Sequence, residues 1–328
     1  MAVRTEKRSA DVSLMADGLV RRSKYATGAY WQARAWSLIR GVLVIGLCYI
    51  ILYPLIVKFA STLMSEQDLF DLTVKWIPKR LNTNSIIRNY QDVYYAMKYP
   101  TALMNSVLLA LLVSLLQLVS CTLIGYGFAR YEYFGSNVVF ALVILTLLVP
   151  PQMIMIPLFL NFRFFDVFGL LPQSMNLLGT YWPFILTSIT GMGLRNGLFI
   201  YIMRQVFKNM PKSLEDAAMV DGAGHLRTFL IIMLPGAGSA AVIVFLFSFV
   251  WQYNDYYLTS MYLHNTSTLL PFMLERLTLS FDNYAYSNEY MSIIINTGMI
   301  MFIAPLLVFY GFLQRYFIES VERTGIVG

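Results

Sequence analysis

Five runs of uncharged residues, each long enough as a helix to cross a bilayer, limit what this chain can fold into. Lys98 to Arg130 encloses 31 such residues, Glu132 to Arg163 encloses 30, Asp166 to Arg195 encloses 28, Arg227 to Asp255 encloses 27 and Glu289 to Arg315 encloses 25. A sixth run, between Arg40 and Lys58, is shorter at 17 but richly apolar ("GVLVIGLCYIILYPLIV"). A transmembrane helix needs about 20 mostly apolar residues. Charge scarcity points the same way: 13% of the residues are charged, against about 25% in an ordinary soluble domain. The expected fold is all-α and polytopic, with six transmembrane helices near 38–59, 102–128, 138–160, 181–204, 228–252 and 290–314. Residues 36–328 form the membrane domain in this reading, and 1–35 a polar, charge-mixed segment on the inner face.

Six spans put both termini on one side, and the basic residues near span ends say which side. With the N-terminus inside, segments 1–40, 129–137, 204–227 and 314–328 carry 15 Lys and Arg, while the outer segments 58–100, 161–181 and 253–290 carry 8. The net charge of +6 therefore reads as topology, and a nucleic-acid partner is not expected. The first apolar run follows about forty polar residues and ends without a small-residue cleavage site, so it reads as a retained anchor rather than a signal peptide.

Catalytic chemistry is scarce. Only His225 and His264 are present, and Cys48 and Cys121 lie within apolar runs, so no zinc or histidine-based cluster is expected and the cysteines read as buried hydrophobes. No G-x-x-x-x-G-K-[ST] loop, G-x-S-x-G elbow or H-E-x-x-H helix occurs. "GMGLRNG" at 191–197 lacks the preceding strand of a dinucleotide loop and reads as a place where a membrane helix packs closely or bends. The chain is expected not to be an enzyme, and to bind no metal or cofactor.

One cytoplasmic stretch departs from the apolar pattern. "PKSLEDAAMVDGAG" at 211–224 reads as a short helix. Ser213 and Asp216 make a variant capping box, Glu215 and Asp216 suit the positive end of the helix dipole, and Pro211 stands at its start. Gly222 and Gly224 supply the stop. Leu214, Ala217, Ala218 and Asp221 fall on one face at helical spacing, where the alanines admit close approach of another surface. On pattern alone, an ordinary connecting loop with an interfacial helix explains this stretch better than a docking element does, because caps and glycines are common.

Asp216-Ala217-Ala218, three residues, Gly222, nine residues, then Ile232-Met233-Leu234-Pro235 resembles the "EAA" loop, E-A-A-x3-G-x9-I-x-L-P, of ABC importer permeases. "NSVLLALLVSLLQLVSCTLIGYGFARYEYFG", "VPPQMIMIP", "YIMRQVFKNMP", "YNDYY" and "RYFIESVERTGIVG" are similar to the carbohydrate-uptake branch, of the maltose and multiple-sugar type, from about residue 100 onward. The resemblance implies a permease subunit in a bacterial cytoplasmic membrane. Its partners would be a second, similar permease chain, two ATPase subunits that hold ATP–Mg, an extracellular solute-binding protein, and a sugar substrate. It also implies that the loop is a coupling helix seated on an ATPase subunit, with Glu215, Asp216, Ala217, Ala218, Asp221 and Gly222 in contact and Leu234 and Pro235 closing the motif.

The pathway residues are expected among polar groups within the spans. Arg195 stands about nine helical positions from Arg204, roughly 14 Å along the axis, and a membrane-embedded arginine faces a polar interior. It would contact substrate, latch a gate, or pair with carbonyls freed around Gly191, Gly193 and Gly197. Gln117, Gln152, Asn196, Gln252, Asn254 and Asn296 are further candidates, with Trp251 and Tyr253 as stacking platforms; hydrogen bonding between helices is the alternative for each. Pro150, Pro151, Pro157, Pro235 and Pro305 break the helical ladder. Outer residues 60–100 and 256–288 are expected to meet the binding protein. An ion-coupled transporter is the competing reading; it would want paired mid-depth acids and an inverted repeat. A membrane scaffold or receptor subunit would need no ATP.

Overall fold

The computed structural model describes residues 28–65, 67–68, 71, 78–79, 82–166, 173–193, 195–264, 267–282 and 288–325. The segment through residue 27 and parts of the two outer loops expected at 60–100 and 256–288 lie outside these. The chain divides into two units, residues 1–61 with 75–77, and residues 62–74 with 78–328.

In the first unit, helix α1 (Gly28–Thr62) carries the shortest predicted span. It holds Pro54 within its length, and its large side chains Ile45, Ile50 and Ile51 are exposed, as suits a surface whose solvent is lipid.

The second unit is built around one helix. After α2 (Thr83–Ala96), helix α3 (Tyr99–Arg130) runs for 32 residues. It is followed by α4 (Ser136–Leu145), α5 (Pro151–Arg163), α6 (Trp182–Ile189), α7 (Asn196–Asn209) and α8 (Ser213–Val220). Helix α9 (His225–Thr228) leads through a π-helical turn, Phe229–Met233, into α10 (Leu234–Gly236) and α11 (Gly238–Asn254). Helices α12 (Tyr257–Leu263), α13 (Leu270–Asp282) and α14 (Asn288–Gly325) complete it. The described residues form no named strand; the single bridge pairs Phe165 with Met175.

Helix α3 packs against α6, α7 and α11. Its buried positions Ser106, Ala110, Val113, Gln117 and Cys121 recur every three or four residues, one stripe of a 3.6-residue helix. The stripe passes through two apolar clusters. One gathers Met97, Val113, Phe249, Phe272 and Ile294; the other gathers Cys121, Phe199, Met203, Phe207 and Val244. Lipid tails are as apolar as leucine, so close packing rather than escape from water must hold such helices together. Gly125 permits it: a Cβ there would lie 2.7 Å from Met203 Cβ and 2.9 Å from the Arg204 backbone nitrogen on α7.

Three described helices are long and apolar enough to cross a membrane alone: the α1 segment Tyr30–Thr62, α3, and the α14 segment Tyr290–Gln314. His225–Gly236 and α11 would make a fourth, bent by 75°. The bend has a local cause. Pro235 lacks an N–H and its ring crowds the carbonyl of Ile231, and the helix immediately before it widens to the π form, the usual accommodation.

The predicted spans 138–160 and 181–204 are each interrupted. Pro150 is extended, at φ −60° and ψ 135°, and caps α5, which starts afresh at Pro151. Residues 190–195 separate α6 from α7, with Gly191 at φ 74° and Arg195 at φ 61°. Arg195 therefore sits at a helix break rather than along a continuous helix, as its spacing from Arg204 suggested.

Candidate functional site

Two places concentrate polar side chains in this apolar unit. The first is α8 and its seat. The chain already turns helically at Lys212 (φ −61°, ψ −27°), which becomes the N-cap with no side-chain cap bond. Ser213 is thereby the first helical residue, and the expected capping box does not form. Gly222, at φ 82°, ends α8 as expected, in the left-handed conformation glycine tolerates. Gly224 instead has φ −72° and opens α9.

The expected contact face of α8 is divided. Glu215 and Ala218, one turn apart, are buried at 9% and 4% exposure. Leu214, Asp216, Ala217 and Asp221 are exposed. The Tyr126 hydroxyl donates to Glu215 Oε1 at 2.9 Å, and Arg130 Nε lies 3.2 Å from the same oxygen. Arg130 Nη2 also donates to the Met210 carbonyl at 2.9 Å. Glu215 is thus a tether to the end of α3, and Asp216 is the acid presented outward. Of the motif's closing pair, Leu234 is half-buried and Pro235 exposed, at the start of the short α10.

The second place is a cavity of about 950 Å³ bordered by α3, α4, α5, the α6–α7 break and α11. It brings together Gln117, Arg195, Asn196 and Trp251. The Arg195 guanidinium lies 4.1 Å over the Trp251 ring, a cation–π contact. Trp251 is itself stacked on Phe199 at 5.5 Å and Phe247 at 5.5 Å. Among the described residues no hydrogen bond joins the Arg195 side chain to the carbonyls of Gly191, Gly193 or Gly197. Gln117 accepts a hydrogen bond from Ser248 on α11. Asn196 is 2% exposed, and neither its Oδ1 nor its Nδ2 has a partner. Gly193 covers this pair: a Cβ there would lie 2.5 Å from Gln117 Nε2 and 3.2 Å from Asn196 Nδ2.

A family model described as "Binding-protein-dependent transport system inner membrane component" matches residues 121–323. The chain belongs to that family.

This inner membrane component is similar to "Osmoprotective compounds uptake permease protein GgtD" of Synechocystis sp., 29% identical over 284 residues that cover 85% of this chain and 89% of that protein. It is 27% identical over 290 residues to "Maltodextrin transport system permease protein MdxG" of Bacillus subtilis, covering 86% and 93%. A chain from the crystal structure of "a bacterial ABC transporter involved in the import of the acidic polysaccharide alginate" superimposes with a TM-score of 0.68 at 20% identity, over 87% of this chain and 98% of that one. That likeness speaks to the fold. The chain is a multi-pass membrane permease component of an ABC importer, as its resemblance implied, and the ion-coupled reading falls. The matched region holds α8 and every cavity residue but Gln117.

Five candidates from the sequence are not on the cavity of this permease component. Gln152 is exposed on α5. Gln252 Nε2 donates to Thr259 Oγ1 at 3.3 Å, and the buried Tyr253 donates its hydroxyl to the Phe302 carbonyl at 3.0 Å. Asn254 Nδ2 donates to the Val250 carbonyl at 2.7 Å, and Asn296 Nδ2 to Ser292 Oγ at 3.5 Å. Bonds within and between helices account for four of the five, the alternative weighed for all. Conversely, the cavity takes Thr146, Thr187 and Thr190, and the α8 seat takes Tyr126 and Arg130, none of which stood out in the sequence. Arg130 carried one signal, a lone cation closing a long apolar helix, and it was read only as topology.

Proposed function

We propose that this chain, with a second permease chain, forms the membrane pathway for a sugar or oligosaccharide handed over by an extracellular binding protein and driven by two ATPase subunits. The six apolar runs support six crossings, with both termini cytoplasmic and residues 36–328 as the membrane domain. Helix α8 is then the coupling helix, with Asp216, Ala217, Asp221 and Gly222 facing an ATPase subunit and Glu215 and Ala218 holding it to the bundle. ATP and Mg belong to that subunit, and this chain needs no cofactor. Arg195, Asn196, Gln117 and Trp251 serve the solute pathway. The printed names of similar proteins include maltodextrin, arabinooligosaccharide and lactose permeases, which supports a saccharide.

One observation carries the mechanism. The Tyr126 hydrogen bond and the Arg130 ion pair to Glu215 fix α8 to the same helix whose Gln117 borders the cavity. Gln117 and Arg130 are thirteen helical steps apart, about 20 Å of stiff rod. A push received at α8 reaches the cavity wall without a flexible joint, and α3 shares close contacts with α7, where Arg195 and Asn196 begin. The test is uptake into proteoliposomes holding the assembled complex. ATP-dependent, binding-protein-dependent accumulation of a saccharide is expected; accumulation driven by an ion gradient without ATP would overturn the reading.

A further inference from the structure

The cavity carries one full charge. Among the described residues that line it, Arg195 is the sole cation, and Asp and Glu are absent. The ion pairs of the described residues join Lys79 to Asp71, Arg88 to Asp92 and Arg130 to Glu215; none involves Arg195. Its guanidinium carbon lies 4.1 Å from the centroid of the Trp251 ring, and none of these ion pairs takes up its N–H donors. The platform is stiff, because Trp251 is stacked on Phe199 and Phe247 with interplanar angles of 22° and 19°.

One further feature raises the positive potential at this point. Helix α7 begins at Asn196, so its positive dipole end lies beside Arg195. Both amide atoms of the neighbouring Asn196 are buried without a partner. Placing an arginine within a membrane domain costs several kcal/mol, and neutral hydroxyls return hydrogen bonds but no opposite charge. A carboxylate supplies that charge and accepts two parallel bonds in the bidentate fork that a guanidinium matches.

We propose that Arg195 on its Trp251 platform is a carboxylate subsite, and that the transported saccharide is acidic, of the uronate class. This rests on the permease reading above. The rest of the sugar meets Thr146, Thr187 and Thr190. Their hydroxyls donate to the carbonyls of Val143, Pro183 and Leu186 at 2.6, 2.7 and 2.7 Å, so each presents acceptor lone pairs to the sugar's hydroxyl groups.

The experiment uses the complete transporter with its binding protein in proteoliposomes. Its probes are a uronate oligosaccharide and the same oligosaccharide with its carboxyl groups reduced. Wild type is expected to accumulate the uronate form at least tenfold faster. Arg195→Gln should lower uronate uptake at least tenfold, and Arg195→Lys by a few fold, since charge survives but the planar fork is lost. Faster wild-type uptake of the neutral form overturns the carboxylate subsite and leaves the permease reading standing. An equal fall for both probes overturns the carboxylate subsite and assigns Arg195 to a gate instead. No ATP-dependent saccharide uptake at all overturns the permease reading itself.

Discussion

Arg130 at the end of α3 and Glu215 in the first turn of α8 form a buried ion pair, with Nε and Oε1 3.2 Å apart and side-chain exposures of 5% and 12%. Neither charge has water to fall back on. Removing one partner of such a pair costs about 3–5 kcal/mol, because the other is left charged and buried. Glu215→Ala and Arg130→Ala should each lower the thermal stability of the purified protein substantially. Glu215→Leu combined with Arg130→Met should recover most of that loss. A double variant no more stable than the singles would mean the pair contributes something other than charge compensation.

Helix α8 offers a sharper comparison between two adjacent alanines. Ala217 is exposed and Ala218 buried. Ala217→Glu should leave stability and membrane insertion unchanged while lowering ATP-dependent transport and ATPase co-purification at least tenfold. Ala218→Glu drives a charge into the seat beside Glu215 and should instead destabilise the protein. If Ala217→Glu transports normally, the exposed face of α8 is not where the ATPase docks.

Two glycines on α3 provide a packing test. At Gly125 a Cβ would meet Met203 and the α7 backbone, whereas at Gly127 nothing lies within 4 Å. Overpacking of this kind costs about 1–3 kcal/mol, so Gly125→Ala should lower the melting temperature. Gly127→Ala should be neutral or stabilising by up to about 1 kcal/mol, the helix-propensity difference. Thermal unfolding in detergent separates them, and equal effects would contradict the close α3–α7 approach.

The layout of this molecule was far easier to read from sequence than its side-chain partnerships. Long uncharged runs dictate helices in lipid, and Gly222 marks the end of α8 because its left-handed conformation excludes most other residues. Pro150-Pro151 and Pro235 break or bend helices through the missing donor, whereas Pro157 and Pro305, expected to do the same, lie inside continuous helices. The side of α8 that faces inward was different. Glu215 and Ala218 share a face by helical period, but only Tyr126 and Arg130, on another helix, decide that this face is buried. Ser213 failed as a cap because Lys212 adopted helical angles first. Among the pathway candidates, Gln117, Asn196 and Trp251 meet because α3, α7 and α11 pack together. Arg195 reaches them through a left-handed conformation rarely taken by a residue with a side chain.

Asp255, just beyond the end of α11, should impose a pH dependence on stability. Its Oδ2 accepts from the Thr259 backbone N–H and hydroxyl, both at 2.8 Å. Desolvation by burial nonetheless raises its carboxyl above the ordinary 3.8, with the Thr259 bonds opposing the rise. A folded state that holds this proton more tightly than the unfolded state loses stability as pH climbs from the unfolded value through the folded one. The loss is complete above the folded value and is recovered on acidification. Asp255→Asn keeps an acceptor oxygen for Thr259 and removes the titration. The variant should gain relative to wild type as pH rises above 3.8, read as the difference in melting temperature across a pH series. A flat difference would remove Asp255 as the source.

Asn196 gives the last prediction, because its two buried amide atoms lack partners directly beneath Gly193. An unsatisfied buried polar group costs about 1–3 kcal/mol, and leucine matches asparagine closely in shape. Asn196→Leu should therefore raise thermal stability. The same change should slow transport, since a group left unpaired at rest beside the solute cavity gains its partners only once solute or a shifted α6–α7 break supplies them. Stability and uptake measured on one preparation test both halves. A variant that is less stable than wild type would show that the amide is satisfied at rest, and one that is more stable with unchanged uptake would show that Asn196 takes no part in the transport cycle.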